Sequence, residues 1–251
     1  LYCQYANQHI SIALPTAQQL DAIALVKGNL ALGVAGQTDE WLHRDGAQAY
    51  VLDKSFYLIR KRTNMASSKR ELLVDTALEL FKRHGYHATG IDRVIAEAGI
   101  ARMTLYNHFK SKDELILAVL QKRDERFRDW MAVAVEQRTE DPKERLLAVF
   151  DALSDWFATE DFTGCMFINA AAEFAQAEDP IHRASREHKE LVQDYLLELC
   201  KAAGARDPET LADGLCLLSE GAIVMAHVAG QKDAGQRAKS AARTLIRDAG
   251  L

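Results

Sequence analysis

Two short segments with apolar residues at helical spacing flank a glycine in "GIDRVIAEAGIARMTLYNHF", Gly90 to Phe109. Ile91, Val94, Ile95 and Ala98 share one side of the first segment, and Leu105 and Phe109 stand one turn apart in the second. Gly99 lets the chain reverse where a Cβ would clash, and Ile100 is suited to plug the angle. This is the grammar of a helix-turn-helix, which needs a further helix to brace it. That brace lies just upstream, where Leu73, Ala77, Leu80 and Phe81 recur at helix spacing and Gly85 is placed to stop the run. With Ile91, Val94, Ile95, Leu105 and Phe109 turned against Leu73, Ala77 and Phe81, the second segment keeps Ala101, Arg102, Met103, Thr104, Tyr106, Asn107 and His108 on its outer face.

That outer face has the chemistry of a duplex reader. Thr104, Tyr106 and His108 can donate to phosphate oxygens, Lys110 and Lys112 add positive charge, and a helix N-terminus offers free N–H groups. Arg102 is matched to guanine and Asn107 to adenine, while Met103 or the Thr104 methyl suits the thymine methyl. Charge distribution points the same way. Residues 65–122 hold nine Lys/Arg against seven Asp/Glu, whereas 123–251 hold sixteen against twenty-four, in a chain of formal net charge −5.

The remainder reads as helices only. Asp141-Pro142, Asp179-Pro180 and Asp207-Pro208 each join a good N-cap to a residue suited to the first helical position, so three helices start near 142, 180 and 208. A fourth helix starts at Asp113 with Ser111 or Lys112 as its cap. "FTGCMFINAAAEFAQAE" and "DAGQRAKSAARTLIRDAG" supply two more. The expectation is an all-α fold of about nine helices: a three-helix DNA-binding unit over 65–119, then a helical unit over 120–251. Residues 1–64 are atypical, with an apolar alternation at 25–41 broken by Gly28, Gly33 and Gly36. The segment is either a genuine extension or upstream sequence read through in frame with Met65 the true start. The second reading fits the abrupt change at Met65 better. No apolar run approaches the ~20 residues of a membrane span, no basic-then-apolar secretion signal is visible, and a cytoplasmic location is expected. The four cysteines (Cys3, Cys165, Cys200, Cys216) lack metal or redox spacing and read as reduced, mostly buried thiols.

The stretch from Ser68 to Val119 resembles the DNA-binding domain of the TetR/AcrR family of bacterial transcriptional regulators. The resemblance rests on "ALELFKRHGYHATGI", "IAEAGIARMTLYNHF" and "FKSKDEL". It implies that Thr89 and Arg93 touch the DNA backbone or groove edge, that residues 101–108 form the recognition helix, and that Lys112 anchors the fourth helix on phosphate. Gly90, Ala101, Met103 and Asn107 depart from residues frequent in the family, which leaves the operator sequence open. The resemblance also implies a C-terminal unit that dimerises and binds a small effector. "PETLADGLCLLSEGAIVMAHVAG" has so little polar circumference that it must be buried, inside the domain or against another subunit. With "HKELVQDYLLELCKAAG" it suits a four-helix dimer interface through the helices near 186–203 and 208–229.

Effector candidates are Trp130, Phe150, Trp156, Met166, Phe167 and Tyr195, with Asn169 and Glu173 as polar contacts. A plain hydrophobic core has the same composition. The expected function is a ligand-responsive regulator, a repressor that binds a palindromic operator as a dimer and is released by a small molecule. The alternative is a helical small-molecule binder without specific DNA affinity. No cofactor is called for. His84, His87, His182 and His188 lack a completed ligand set, and no phosphate loop or nucleophile turn follows residue 65. Surface or capping roles are expected for these histidines, and no enzymatic activity is.

Overall fold

The computed structural model describes residues 69–251, which form nine α-helices and no strand among the described residues. Expectations for residues 1–64, Met65 and Cys3 lie outside them. The helices are α1 (Lys69–His84), α2 (Ile91–Ala98), α3 (Arg102–His108), α4 (Lys112–Glu136), α5 (Pro142–Ala158), α6 (Met166–Glu173), α7 (Pro180–Ala203), α8 (Pro208–Val228) and α9 (Ala234–Asp248).

Their starts follow from local chemistry. Asp141, Asp179 and Asp207 each accept a hydrogen bond from a backbone N–H of the first turn, from Lys143, Ile181 and Thr210 respectively, and a proline follows each. Ser111 caps α4 by accepting from the Glu114 N–H at 3.1 Å, while the Glu114 carboxylate reaches back to the Lys110 N–H at 2.5 Å. Helix α4 therefore begins at Lys112, one residue before the sequence expectation. It runs unbroken past residue 119, so one rod carries the chain from the reader unit into the helical unit. Gly99 closes α2 at φ 63° and its own N–H satisfies a terminal carbonyl. Helices α2 and α3 begin at Gly90 and Ala101 with no side-chain cap.

The reader is built on α1. Leu73, Ala77 and Phe81 are buried with Val94, Leu105 and Phe109, while Ile91, Ile95 and Ile100 pack half-buried against them. Helices α5, α7, α8 and α9 enclose the second part of the core around Phe150, Leu153, Phe157, Leu196 and Leu215. Helix α8 is long and apolar enough to cross a membrane by length and composition alone. That qualifies the sequence expectation of no span. Its apolarity is used within the fold: Leu211, Leu215, Ala222 and Ile223 face the core, and Glu220 pairs with Lys189 of α7 at 2.6 Å. Cys165 and Cys200 are buried free thiols and Cys216 is half-buried and free.

Candidate DNA-binding face and effector cleft

Leu105 and Phe109 are the side chains that seat α3, at 0 % and 1 % exposure. The rest of the helix faces out: Ala101, Arg102, Met103, Tyr106, Asn107 and His108 are exposed and Thr104 half-buried. Met103 is an unbranched apolar side chain at 70 % exposure. The Arg102 guanidinium pairs with Asp92 of α2, so a base contact by Arg102 must replace that ion pair. Arg93 is exposed and its guanidinium lies 2.8 Å from His84 Nε2. Lys112 donates to the His87 carbonyl at 3.2 Å, which ties α4 to the α1–α2 turn. Lys110 is exposed on the α3–α4 turn.

Thr89 departs from its expected place. It is 0 % exposed, and its hydroxyl donates to the Gly85 carbonyl at 2.8 Å. A carbonyl left unpaired beyond α1 needs a donor, and the short Thr89 side chain is turned inward to supply it. Its side chain presents no surface to a partner.

The second site is a narrow cleft among α4, α5, α6, α7 and α8. Trp156, Met166, Phe167 and Tyr195 line it, as the sequence suggested. Trp130, Phe150, Asn169 and Glu173 do not. Trp130 packs behind the wall, its ring 5.5 Å from Phe127 and 6.3 Å from Trp156. Phe150 is core at 0 % exposure. Asn169 and Glu173 sit on the other side of α6, on a groove shared with Lys82, Arg83 and Gly85 of the reader.

Glu173 is engaged there. Its carboxylate accepts from the backbone N–H groups of Tyr86 and His87 at 2.8 and 2.5 Å. At the opposite end of α6, the Tyr86 hydroxyl donates to the Met166 carbonyl at 3.0 Å. Burial drives the Tyr86 pKa far up, so the phenol keeps its proton and its role as donor. Lys82 of α1 pairs with Asp161, just before α6. Helix α6 thus lines the cleft with Met166 and Phe167 and grips the α1–α2 turn with Glu173.

Sequence reasoning missed most of the polar cleft, namely Arg123, Cys165, His188, Lys189 and Glu220. His188 was expected at the surface. Instead it is 3 % exposed, stacked on the Phe167 ring at 3.6 Å and bonded through Nδ1 to Asp124 Oδ1 at 2.7 Å. Its charged neighbourhood, "SREHKE", hid a helix face that turns inward every third or fourth residue; Ile181, Ser185 and His188 at that spacing were the available signal. His182 also differs from a surface residue, being half-buried with Nδ1 2.8 Å from the Phe174 carbonyl.

Comparison with known proteins agrees with both halves. Residues 73–119 match the model of bacterial regulatory proteins of the tetR family, and residues 142–242 match that of the tetracyclin repressor-like C-terminal domain. The chain belongs to the TetR family. It is 31 % identical over 163 residues to the HTH-type transcriptional regulator LmrA of Bacillus subtilis, a match spanning 62 % of this chain and 85 % of that one. The HTH-type transcriptional activator FasR of Mycolicibacterium smegmatis is 38 % identical over 100 residues, covering 40 % of this chain and 45 % of that protein. Among solved structures, a TetR-family transcriptional regulator from Streptomyces coelicolor superposes with a TM-score of 0.68 at 31 % identity, over 74 % of this chain and 97 % of its own. This TetR-family protein is accordingly a DNA-binding transcriptional regulator and not an enzyme.

Proposed function

We propose that this TetR-family chain acts as a dimeric repressor that occupies a near-palindromic operator and leaves it when a small molecule fills the cleft. The observation that carries the DNA half is the polar outer face of α3, held outward by the buried Leu105 and Phe109. Arg102 and Asn107 choose bases, with Arg102 exchanging Asp92 for guanine. Thr104, Tyr106, His108, Arg93, Lys110 and Lys112 contact the backbone, and Met103 contacts a thymine methyl. Activation is the second reading to test, since the relatives include a named activator. The protein works in the cytoplasm, where its DNA is.

Dimerisation is supported by exposed apolar surface on α7 and α8. Leu217, Val224 and Val228 are 75 %, 40 % and 78 % exposed, and with Gly221 they form one stripe along α8; Leu191 on α7 is 40 % exposed. Paired subunits present two α3 helices to half-sites about 34 Å apart. Ligand release acts through α6, whose Met166 and Phe167 meet the cleft while Glu173 holds the reader. An effector that binds the DNA-incompetent arrangement more tightly shifts the population toward it.

The test is a footprint and titration on DNA flanking the gene with Arg102→Ala and Asn107→Ala. Each lost base contact is expected to weaken specific binding by about 1–3 kcal/mol while nonspecific binding and the fold persist. Unchanged operator affinity in both variants would mean that α3 does not read the sequence.

A further inference from the structure

Two polar groups on the cleft wall, the Tyr195 hydroxyl and one ring nitrogen of His188, have no hydrogen-bond partner among the described residues, and the chemistry of the second is set. His188 Nδ1 meets Asp124, and Asp124 also takes bonds of 2.7–3.1 Å from the Arg128 guanidinium. Burial works to raise the Asp124 pKa, but the Arg128 and His188 bonds outweigh it and hold the carboxyl below its usual range. The ionised carboxylate can only accept, so His188 carries its proton on Nδ1. Burial also pushes the His188 pKa down to about 4, so near pH 7 the ring has that single proton. Nε2 is left as a bare acceptor on the ring edge away from Asp124, in a side chain that is almost fully buried yet forms part of the cavity wall. An acceptor on the wall of an otherwise apolar cleft favours a ligand that brings a donor to it.

The other polar groups do not ask for an ion. The Lys189 ammonium lies 2.6 Å from Glu220 and 3.4 Å from Cys165 Sγ. The Arg123 guanidinium lies over the Phe127 and Trp156 rings, 5.6 and 5.8 Å from their centroids. The remaining wall is apolar, with Phe127, Met131, Leu153 and Trp156. An anionic ligand head at Nε2 would face a lone pair, and the Lys189 ammonium is already taken by Glu220. A cationic head would enter beside Lys189 and Arg123.

We propose that the cleft selects a neutral, ring-bearing apolar molecule with one hydroxyl or N–H, which donates to His188 Nε2 while the ring lies against Trp156, Phe127 and Met131. This deepens the reading of the cleft as the effector site and rests on it. The single hydrogen bond gives orientation, and the aromatic wall gives most of the contact area.

The test is calorimetric titration of the full chain with 2-naphthol, 2-methoxynaphthalene and 2-naphthoate. The naphthol is expected to bind about tenfold more tightly than its methyl ether, the effect of one hydrogen bond made inside an apolar cleft, and more tightly than the naphthoate. In His188→Asn the amide N–H keeps a donor toward Asp124 but Nε2 is gone. There the naphthol advantage is expected to fall below about threefold while the ether binds as before. If that variant does not fold, the three affinities of the unaltered chain still decide. Equal binding of naphthol and ether, tighter binding of naphthoate, or no binding of any probe overturns the proposal. DNA titration separates it from the broader reading. Naphthol bound with the expected preference but without effect on DNA affinity counts against effector release alone. Naphthol and ether that release DNA equally well count against donor recognition alone.

Discussion

Thr89 and His188 show how one side chain's hydrogen-bonding need can override the pattern around it. The family resemblance implies that Thr89 touches the DNA backbone or groove edge, yet the Gly85 carbonyl draws its hydroxyl inward. His188 sits between Glu187 and Lys189 and would read as solvated, yet it is stacked on Phe167 and paired with Asp124. The histidine carries a pH consequence. Its pKa is about 4 in the folded chain, against 6.5 for an ordinary histidine. Between those values the unfolded chain binds a proton that the folded chain refuses, so stability rises with pH through the window. The contribution is complete above about pH 6.5 and lost as pH falls toward 4, a change on the order of 3 kcal/mol. Thermal melts at pH 7 and 4.5 should show a larger loss for the natural chain than for His188→Asn. Equal losses would mean that His188 is protonated in the folded state.

At the scale of elements, α6 is eight residues that touch both halves of the molecule. One end supplies Met166 and Phe167 to the cleft; the other places the Glu173 carboxylate under two backbone N–H groups of the α1–α2 turn. A carboxylate accepts both, whereas an amide can accept through only one of its two terminal atoms. Glu173→Gln therefore loses a charge-assisted bond and sets an NH2 against an N–H. We expect a loss of about 1–3 kcal/mol in stability, by denaturant titration. The larger effect should be on communication: effector still binds, but the ratio of DNA affinities with and without it shrinks toward one. A variant that keeps the full ratio would remove α6 from the relay. Helix α4 is the other connection, a 25-residue rod whose first turn is tied by Lys112 to the His87 carbonyl and whose Phe127 and Met131 reach the cleft.

For the whole molecule, the informative surface is the exposed apolar stripe of α8. A single helix with Leu217 and Val228 largely in water is a poor end state for a monomer of 28.0 kDa. The chain is expected to sediment at about twice that mass, and Leu217→Lys or Val224→Lys to shift it toward the monomer. The same variants should weaken binding to a two-half-site operator far more than to one half-site, because joining two readers multiplies their affinities. A stripe variant that stays dimeric would move the interface elsewhere.

Local chemistry determined the helical pattern, the capped starts of α4, α5, α7 and α8, and the reader. Asp–Pro pairs, Ser111, Gly99 and the spacing of Leu105 and Phe109 act within a turn or two of the chain, so their effects are legible in order along it. The polar face of α3 was legible for the same reason, because a seven-residue helix seated by two apolar residues leaves its other residues outside. Four of the eight cleft candidates line the cleft, since aromatic and Met content marks the interior without distinguishing a cavity wall from a packed core. What only the tertiary structure decided is which groups meet across long separations: His188 with Asp124, Lys189 with Glu220, and Glu173 with the turn after α1. Those pairings depend on how helices cross, and a partner 64 or 87 residues away leaves no periodic trace in the sequence.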